Sequence, residues 1–215
     1  MSDVNSEIIK KFGILNTTID SSSKNYGIPN PGLYFIDNNL IVKSKQFEKS
    51  FAERPSAESV LAVHFNKEID TYKQTFKSSY LTGSIAISDT LIYPSQIFTL
   101  VVKFFLQNKF HLYVEPVPEG FTALTIDLDS NPNFTMDPFQ VPDSKQIVLK
   151  SAGEVFHAVS NEITLKSFIR VNRRPQLGSD TLTFTIKFQA CDDKICMPPE
   201  NLSFQFPVTI TGTIN

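Results

Sequence analysis

A chain of 215 residues with 20 basic and 22 acidic side chains carries a net charge of −2, which leaves no basic face of the kind a nucleic-acid footprint needs. Its longest apolar runs, such as residues 98–106 with Thr99 and Lys103 inside them, are too short to insert across a bilayer. The length allows one large domain or two small ones, and its Phe, Thr, Ile and Val content suits pleated, half-buried surfaces.

The opening residues, Met1-Ser2-Asp3-Val4-Asn5-Ser6, have neither the basic stretch nor the apolar stretch of a signal peptide. Ser6 is placed to cap a short helix through Phe12, with Ile8, Ile9 and Phe12 on one face and Gly13 as the stop. A polar loop over residues 20–25 follows. Residues 33–36 and 40–42 flank Asp37-Asn38-Asn39 and predict a hairpin. Pro55-Ser56 opens a second helix, with Val60, Leu61 and His64 at helical spacing. These elements are too few to close a core, so residues 1–65 pack on the rest or belong to a larger unit. Residues 66–82 are polar and weakly periodic and read as a linker.

From Gly83 the pattern changes to period two. Phe98, Leu100, Val102 and Phe104 alternate with more polar neighbours, as do Leu182, Phe184, Ile186 and Phe188, and then Phe204, Phe206, Val208 and Ile210. Such alternation gives each strand one buried and one wet face. Strands of this kind, punctuated by Pro, Gly, Asn and Asp, predict a mainly β fold over residues 83–215, an immunoglobulin-like β-sandwich. Pro207 suits an edge or a bulge in the last strand.

Both cysteines of the chain, Cys191 and Cys196, fall in the stretch FQACDDKICMPP at residues 188–199. Four readings compete. The thiols are buried and inert; they form a structural clip; they bind zinc; or they cycle between dithiol and disulfide. A six-residue loop gains only about 2 kcal/mol from cross-linking in the chain-entropy model. Zinc wants four ligands, and His64, His111 and His157 are not at ligand spacing from the pair. A short gap lets one thiolate expel its neighbour from a mixed disulfide.

The segment from Gln189 to Pro199, with its Gln-Ala-Cys strand end, second Cys and following prolines, resembles the cysteine segment of the N-terminal periplasmic domain of the DsbD thiol:disulfide interchange family. Phe110-His111-Leu112-Tyr113 resembles that family's aromatic strand near the active site, and Glu154-Val155-Phe156-His157 its cap loop. The gap of four residues is shorter than usual, and His157 stands where an aromatic is common. The resemblance implies a redox pair, Cys191 and Cys196, shielded by Phe156 with Glu154 and His157, and lined by Tyr113, His111 and Gln189. It implies electron passage between protein partners with thioredoxin-like folds, no metal or organic cofactor, and a periplasmic setting that sits oddly with the N-terminus. Asp192 and Asp193 between the thiols would raise their pKa and Lys194 opposes them.

Residues 1–65 resemble the second half of a redoxin, an α/β thioredoxin-like segment. The resemblance rests on Phe12-Gly13-Ile14-Leu15-Asn16, Tyr26-Gly27-Ile28-Pro29-Asn30-Pro31-Gly32 and Phe51-Ala52-Glu53-Arg54-Pro55. It implies a cis-proline at Pro31 and a chain that begins midway through a redoxin–DsbD fusion. A peroxidase is rejected, because the half-domain that would hold its reactive cysteine is missing. The function expected is therefore thiol–disulfide exchange dependent on partner proteins. A non-catalytic interaction domain with a structural disulfide is the alternative.

Overall fold

The computed structural model describes residues 3–48, 50, 52–139, 144–149, 154–192 and 194–212, except for the side chains of Val4, Val148, Leu149 and Glu154. The chain divides into two compact units, Met1–Arg54 and Pro55–Asn215. Among the described residues no helix is long and apolar enough to cross a membrane.

In the first unit a 3-10 turn (Val4–Ser6) leads into α1 (Glu7–Lys11). Ser6 is not the cap that was expected. It takes a left-handed backbone and makes no capping hydrogen bond. The Asp3 carboxylate accepts the Ile8 and Ile9 N–H groups instead, both at 3.0 Å. β1 (Gly32–Ile36) and β2 (Val42–Phe47) form the expected hairpin, with Tyr34 opposite Lys45. The Asp37 side chain holds its turn by accepting the Asn39 and Ile41 N–H groups. Ile8, Phe12, Leu33, Ile36, Leu40, Ile41 and Val42 are all exposed, and no apolar residue among the described residues of this unit is buried.

β3 (Arg54–Pro55) lies at the division between the units. α2 (Ala57–His64) begins where Ser56 caps it by accepting the Ser59 N–H at 3.0 Å. Its buried residues are Ser59 and Ala62 rather than Val60, Leu61 and His64. Small side chains bring the helix close to the sheet, and the Ser59 and Thr99 hydroxyls bond at 2.6 Å.

Residues 66–82, expected as a linker, contain β4 (Lys73–Lys77) and run into β5 (Leu81–Ile87). After them come β6 (Leu91–Ile92), β7 (Gln96–Leu106), β8 (His111–Val114), β9 (Thr125–Leu128) and β10 (Phe134–Met136). β11 (Lys145–Leu149), β12 (Glu154–Ser160) and β13 (Glu162–Val171) continue the chain. β14 (Gly178–Phe188), β15 (Ala190–Cys191) and β16 (Glu200–Ile210) close it. The result is mainly β and sandwich-like. One sheet has the order β10-β13-β7-β5-β4, a second β6-β16-β14-β9, and a third, smaller one β11-β12-β8-β15.

The period-two strands place their apolar faces as the pattern requires. Phe98, Leu100, Val102, Phe104, Leu182, Phe184, Ile186 and Phe188 are fully buried in one core with Phe204, Phe206 and Val208. Burying a Phe or Leu side chain is worth roughly 1.5–3 kcal/mol, so this cluster dominates the stability of the second unit. β7 departs from strict alternation. Ile97 and Thr99 are buried too, because α2 packs on β7. β6 reaches β16 only at Thr209 and Ile210, so Pro207 costs no bond to that neighbour.

Two expectations follow. Backbone amides in β1 and β2 should exchange with solvent much faster than those of β7 and β14, because no apolar core supports the hairpin. Equal protection measured by hydrogen exchange would contradict this. The Asp89 carboxylate, which accepts the Ser56 and Ser88 hydroxyls at 2.6 Å each, has its pKa raised above 3.8 by burial. A raised carboxyl gives stability that is full below the unfolded value and lost as pH rises through the folded one. The stability of the wild type relative to Asp89→Asn should therefore fall as pH rises from 3.8, as read by denaturant titration at several pH values.

Candidate functional site

Two cysteines five positions apart can face each other only if the chain turns between them. The turn is built by backbone and by one carboxylate. The Asp192 N–H donates to the Ile195 carbonyl at 2.9 Å, and the Met197 N–H to the Ala190 carbonyl at 2.8 Å. The Asp192 side chain accepts the Lys194 and Ile195 N–H groups at 2.9 Å each. Those two bonds, with help from the nearby Lys109 and Lys194 ammoniums, hold the Asp192 carboxyl below the usual carboxylate range. Asp192 thus closes the turn, and its oxygen also lies 3.7 Å from Lys109 Nζ. Asp193 lies outside the described residues. The Cys191 and Cys196 sulfurs are bonded to each other, with Cα atoms 4.0 Å apart. Neither sulfur is an inert thiol or a free metal ligand in this state.

Cys191 is fixed by a change of sheet. β14 pairs with β16 as far as Phe188 opposite Glu200. Two residues later β15 pairs with β8 instead, Ala190 opposite Leu112 and Cys191 opposite His111. Gln189, at the crossing, is buried and used at both ends. Its Oε1 accepts the Thr122 N–H and its Nε2 donates to the Met197 carbonyl, both at 3.0 Å. Gln189 therefore ties the cysteine turn to the loop between β8 and β9.

The third sheet has two working faces. Leu112, Val114, Val159 and Ala190 enter the main core. Tyr113, Phe156, Ala158 and Cys191 form a separate small cluster, with Cys196, Phe121, Val117 and Ile147 packed against it. Phe156 sits opposite Ile147, and Ala158 opposite Tyr113. The Tyr113 and Phe156 rings stack at 4.4 Å, and Phe121 meets both edge-on at 5.8 and 4.8 Å. Such pairs add about 0.5–1.5 kcal/mol each beyond their burial. Tyr113 Oη lies 4.0 Å from Cys196 Sγ. Burial pushes the Tyr113 phenol up, so it stays a neutral hydroxyl facing the disulfide.

The sulfurs differ in access. Cys191 is 0% exposed, whereas Cys196 is half-buried beside Ile195, which is 59% exposed. Beside the aromatic cluster Cys191 is buried completely and Cys196 only in part.

Of the residues singled out from the sequence, Cys191, Cys196, Tyr113, Phe156 and Gln189 come together here. His111 is beside them, buried, with its ring 5.1 Å from that of Tyr113. The segment expected as a cap loop is instead strand β12, so Phe156 acts from a paired strand. His157 pairs with Val114, on the opposite side of the strand from Phe156, and its Nδ1 lies 3.2 Å from the Ser144 hydroxyl. It does not join the shield. Glu154 pairs with Leu149 through its backbone, and its side chain lies outside the described residues. Pro31 belongs to the first unit, and the cis peptide bond among the described residues is Glu115–Pro116 rather than the bond before Pro31. Phe121 was missed. Its only sequence signal is an aromatic after the Pro- and Gly-rich run at residues 116–120.

Comparison with known proteins adds a family match. The model described as "Thiol:disulfide interchange protein DsbD, N-terminal" matches residues 77–207. The N-terminal periplasmic domain of ScsB from Proteus mirabilis is similar at 12% identity and TM-score 0.44, over 63% of this chain and 49% of that one. The chain therefore spans about half of that domain. The DsbD N-terminal domain of Neisseria meningitidis, in its reduced form, is similar at 11% identity and TM-score 0.36, over 51% of this chain and 77% of that one. No curated protein matches the chain.

Phe156→Ala removes the stacked ring and should cost about 3–5 kcal/mol. It should also speed reduction of the disulfide by a small thiol severalfold, measured as thiol release over time. An unchanged rate in the folded variant would mean that Phe156 only packs.

Proposed function

The chain belongs to the family of DsbD N-terminal thiol:disulfide interchange domains, and from that membership we propose that Cys191 and Cys196 relay electrons between two protein partners, with Cys196 as the sulfur that meets them. The observation that carries this reading is the unequal burial of the two cysteines beside one aromatic cluster.

The steps balance. A partner thiolate attacks Cys196 Sγ, the Cys191–Cys196 bond breaks, and Cys191 sulfur leaves with the bonding pair and takes a proton. A second thiolate of the partner attacks its own sulfur in the mixed disulfide and expels Cys196, which is protonated in turn. The domain has gained two electrons and two protons, and the partner has become a disulfide. The same steps run backwards deliver the pair to an oxidised protein. The Tyr113 hydroxyl, 4.0 Å from Cys196 Sγ, is placed to donate to that sulfur as negative charge develops on it. Partners with a thioredoxin-like fold suit the shallow approach to Cys196, and a periplasmic, oxidising setting suits a disulfide that must re-form.

The fold over the matched region is taken as immunoglobulin-like. The redoxin-like reading of the opening segment is kept for the hairpin and its approach, where Pro31 precedes β1 and the apolar side chains stand exposed.

The test is a pair of single-cysteine variants. Cys191→Ser, which keeps Cys196, should form a mixed disulfide with a thioredoxin-fold protein lacking its resolving cysteine at least tenfold faster than Cys196→Ser does. The wild-type pair should have a midpoint potential above about −300 mV, the range below which structural disulfides lie. Equal trapping rates would remove the assignment of Cys196, and a potential below that limit would make the disulfide a structural clip.

A further inference from the structure

A cavity of about 420 Å³ opens on the outer face of the first sheet, beneath the segment that leads from α2 into β4. It shares no residue with the disulfide cluster. Its wall carries Lys67, Lys73, Lys103 and Lys166 against a single carboxylate, Glu68. Two further carboxylates, Glu58 and Asp70, pair with Lys67 and Lys73 at its edge, so the excess positive charge of the cavity rests on Lys166.

Three of these lysines are paired near the surface. Lys67 meets Glu58 at 3.0 Å, Lys73 meets Asp70 at 3.4 Å, and Lys103 meets Glu68 at 2.5 Å. Lys166 is different. Its Nζ donates to the Ala62 carbonyl at 2.8 Å and to Asn66 Oδ1 at 3.0 Å, and both oxygens are neutral. Lys103 faces Thr164 and Lys166 faces Val101 across β7 and β13, so the two ammoniums are diagonal neighbours on one face. Like charges so placed repel. Burial and that neighbour hold the Lys166 amine below its ordinary value.

The bond to Ala62 caps the last turn of α2, which accounts for one donor of Lys166 but not for its charge, which meets no carboxylate among the described residues. Nor does capping need a cavity. The space exists because Ser84, Ala86 and Thr164, all short side chains, line it where larger strand formers would fill it.

We propose that this cleft binds a small organic dianion, a dicarboxylate or a phosphate ester, with its charged group between Lys103 and Lys166 and its carbon skeleton over Ala86 and Val101. The Glu68 carboxylate occupies one side of that position by its contact with Lys103. A ligand oxygen takes its place, and the Glu68 side chain, already 58% exposed, turns to solvent.

The experiment titrates the whole chain with succinate in one arm and glycerol phosphate in the other, at constant ionic strength, with chloride as the control. Calorimetry reads affinity, and amide shifts in NMR spectra locate it. At least one dianion should give saturable shifts at Ala86, Val101 and Thr164, and the arm that saturates at lower concentration identifies the ligand class. Lys103→Gln should weaken that binding tenfold or more, and Glu68→Gln should strengthen it. Lys166→Gln should weaken it equally; because it also removes a bond to α2, Lys103→Gln is the deciding variant. Thiol–disulfide exchange at Cys196 should be unchanged in all three. Shifts no larger than those from chloride, saturable shifts centred elsewhere, or an affinity that Lys103→Gln leaves alone would each overturn the proposal.

Discussion

The site depends on one crossing of the backbone. β14 runs in the second sheet to Phe188, and Ala190 is already paired with β8 in the third. A strand that changes sheets leaves backbone groups at the corner that need partners. Gln189 supplies two of them, binding the Thr122 N–H and the Met197 carbonyl. Its amide is uniquely suited to this, since it can accept at one end and donate at the other while buried. The crossing brings Cys191 opposite His111 and beneath the ring of Phe156. Without it the cysteine turn would be the solvent-exposed end of the β14–β16 hairpin.

The crossing also explains what the sequence made legible. Alternation over β7, β14 and β16 is a local signal, and burial follows it closely in β14, β16 and the second half of β7, where each strand has one face in the core. The third sheet has no such signature. Its strands are short, and both faces of β8 are buried, one in the main core and one in the aromatic cluster. Two-sided burial erases alternation. The same holds for α2, whose contact is made by Ser59 and Ala62. Packing a helix close to a strand selects small residues, so the helix's larger apolar side chains misreport its buried face.

Resemblance carried the reading further than pattern did for the site, and it erred where local geometry differs. Phe156 lies in the cluster with Cys191, but on a strand with partners on both sides rather than on a loop. Strand alternation then decides the fate of its neighbour. His157 must point away from the disulfide if Phe156 points toward it. Phe121 escaped notice because its role depends on a contact with Tyr113 that no spacing in the chain encodes.

A shield carried on a paired strand has energetic consequences that a loop would not have. A loop can swing aside at little cost. In the proposed exchange, Phe156 can uncover Cys191 only by leaving its stack with Tyr113, or if β12 parts from β11 and β8. Exposing a buried Phe costs roughly 1.5–3 kcal/mol, and losing its aromatic partners about 0.5–1.5 kcal/mol more for each pair. With the two partners Tyr113 and Phe121 the sum, about 2.5–6 kcal/mol, holds the open form below a few per cent at rest. A docked protein that covers Ile195 and the edge of the aromatic cluster removes apolar area from water as it binds, and so opposes the penalty at the moment of exchange. On the proposed exchange, selectivity for a macromolecular partner comes from the packing around Cys191.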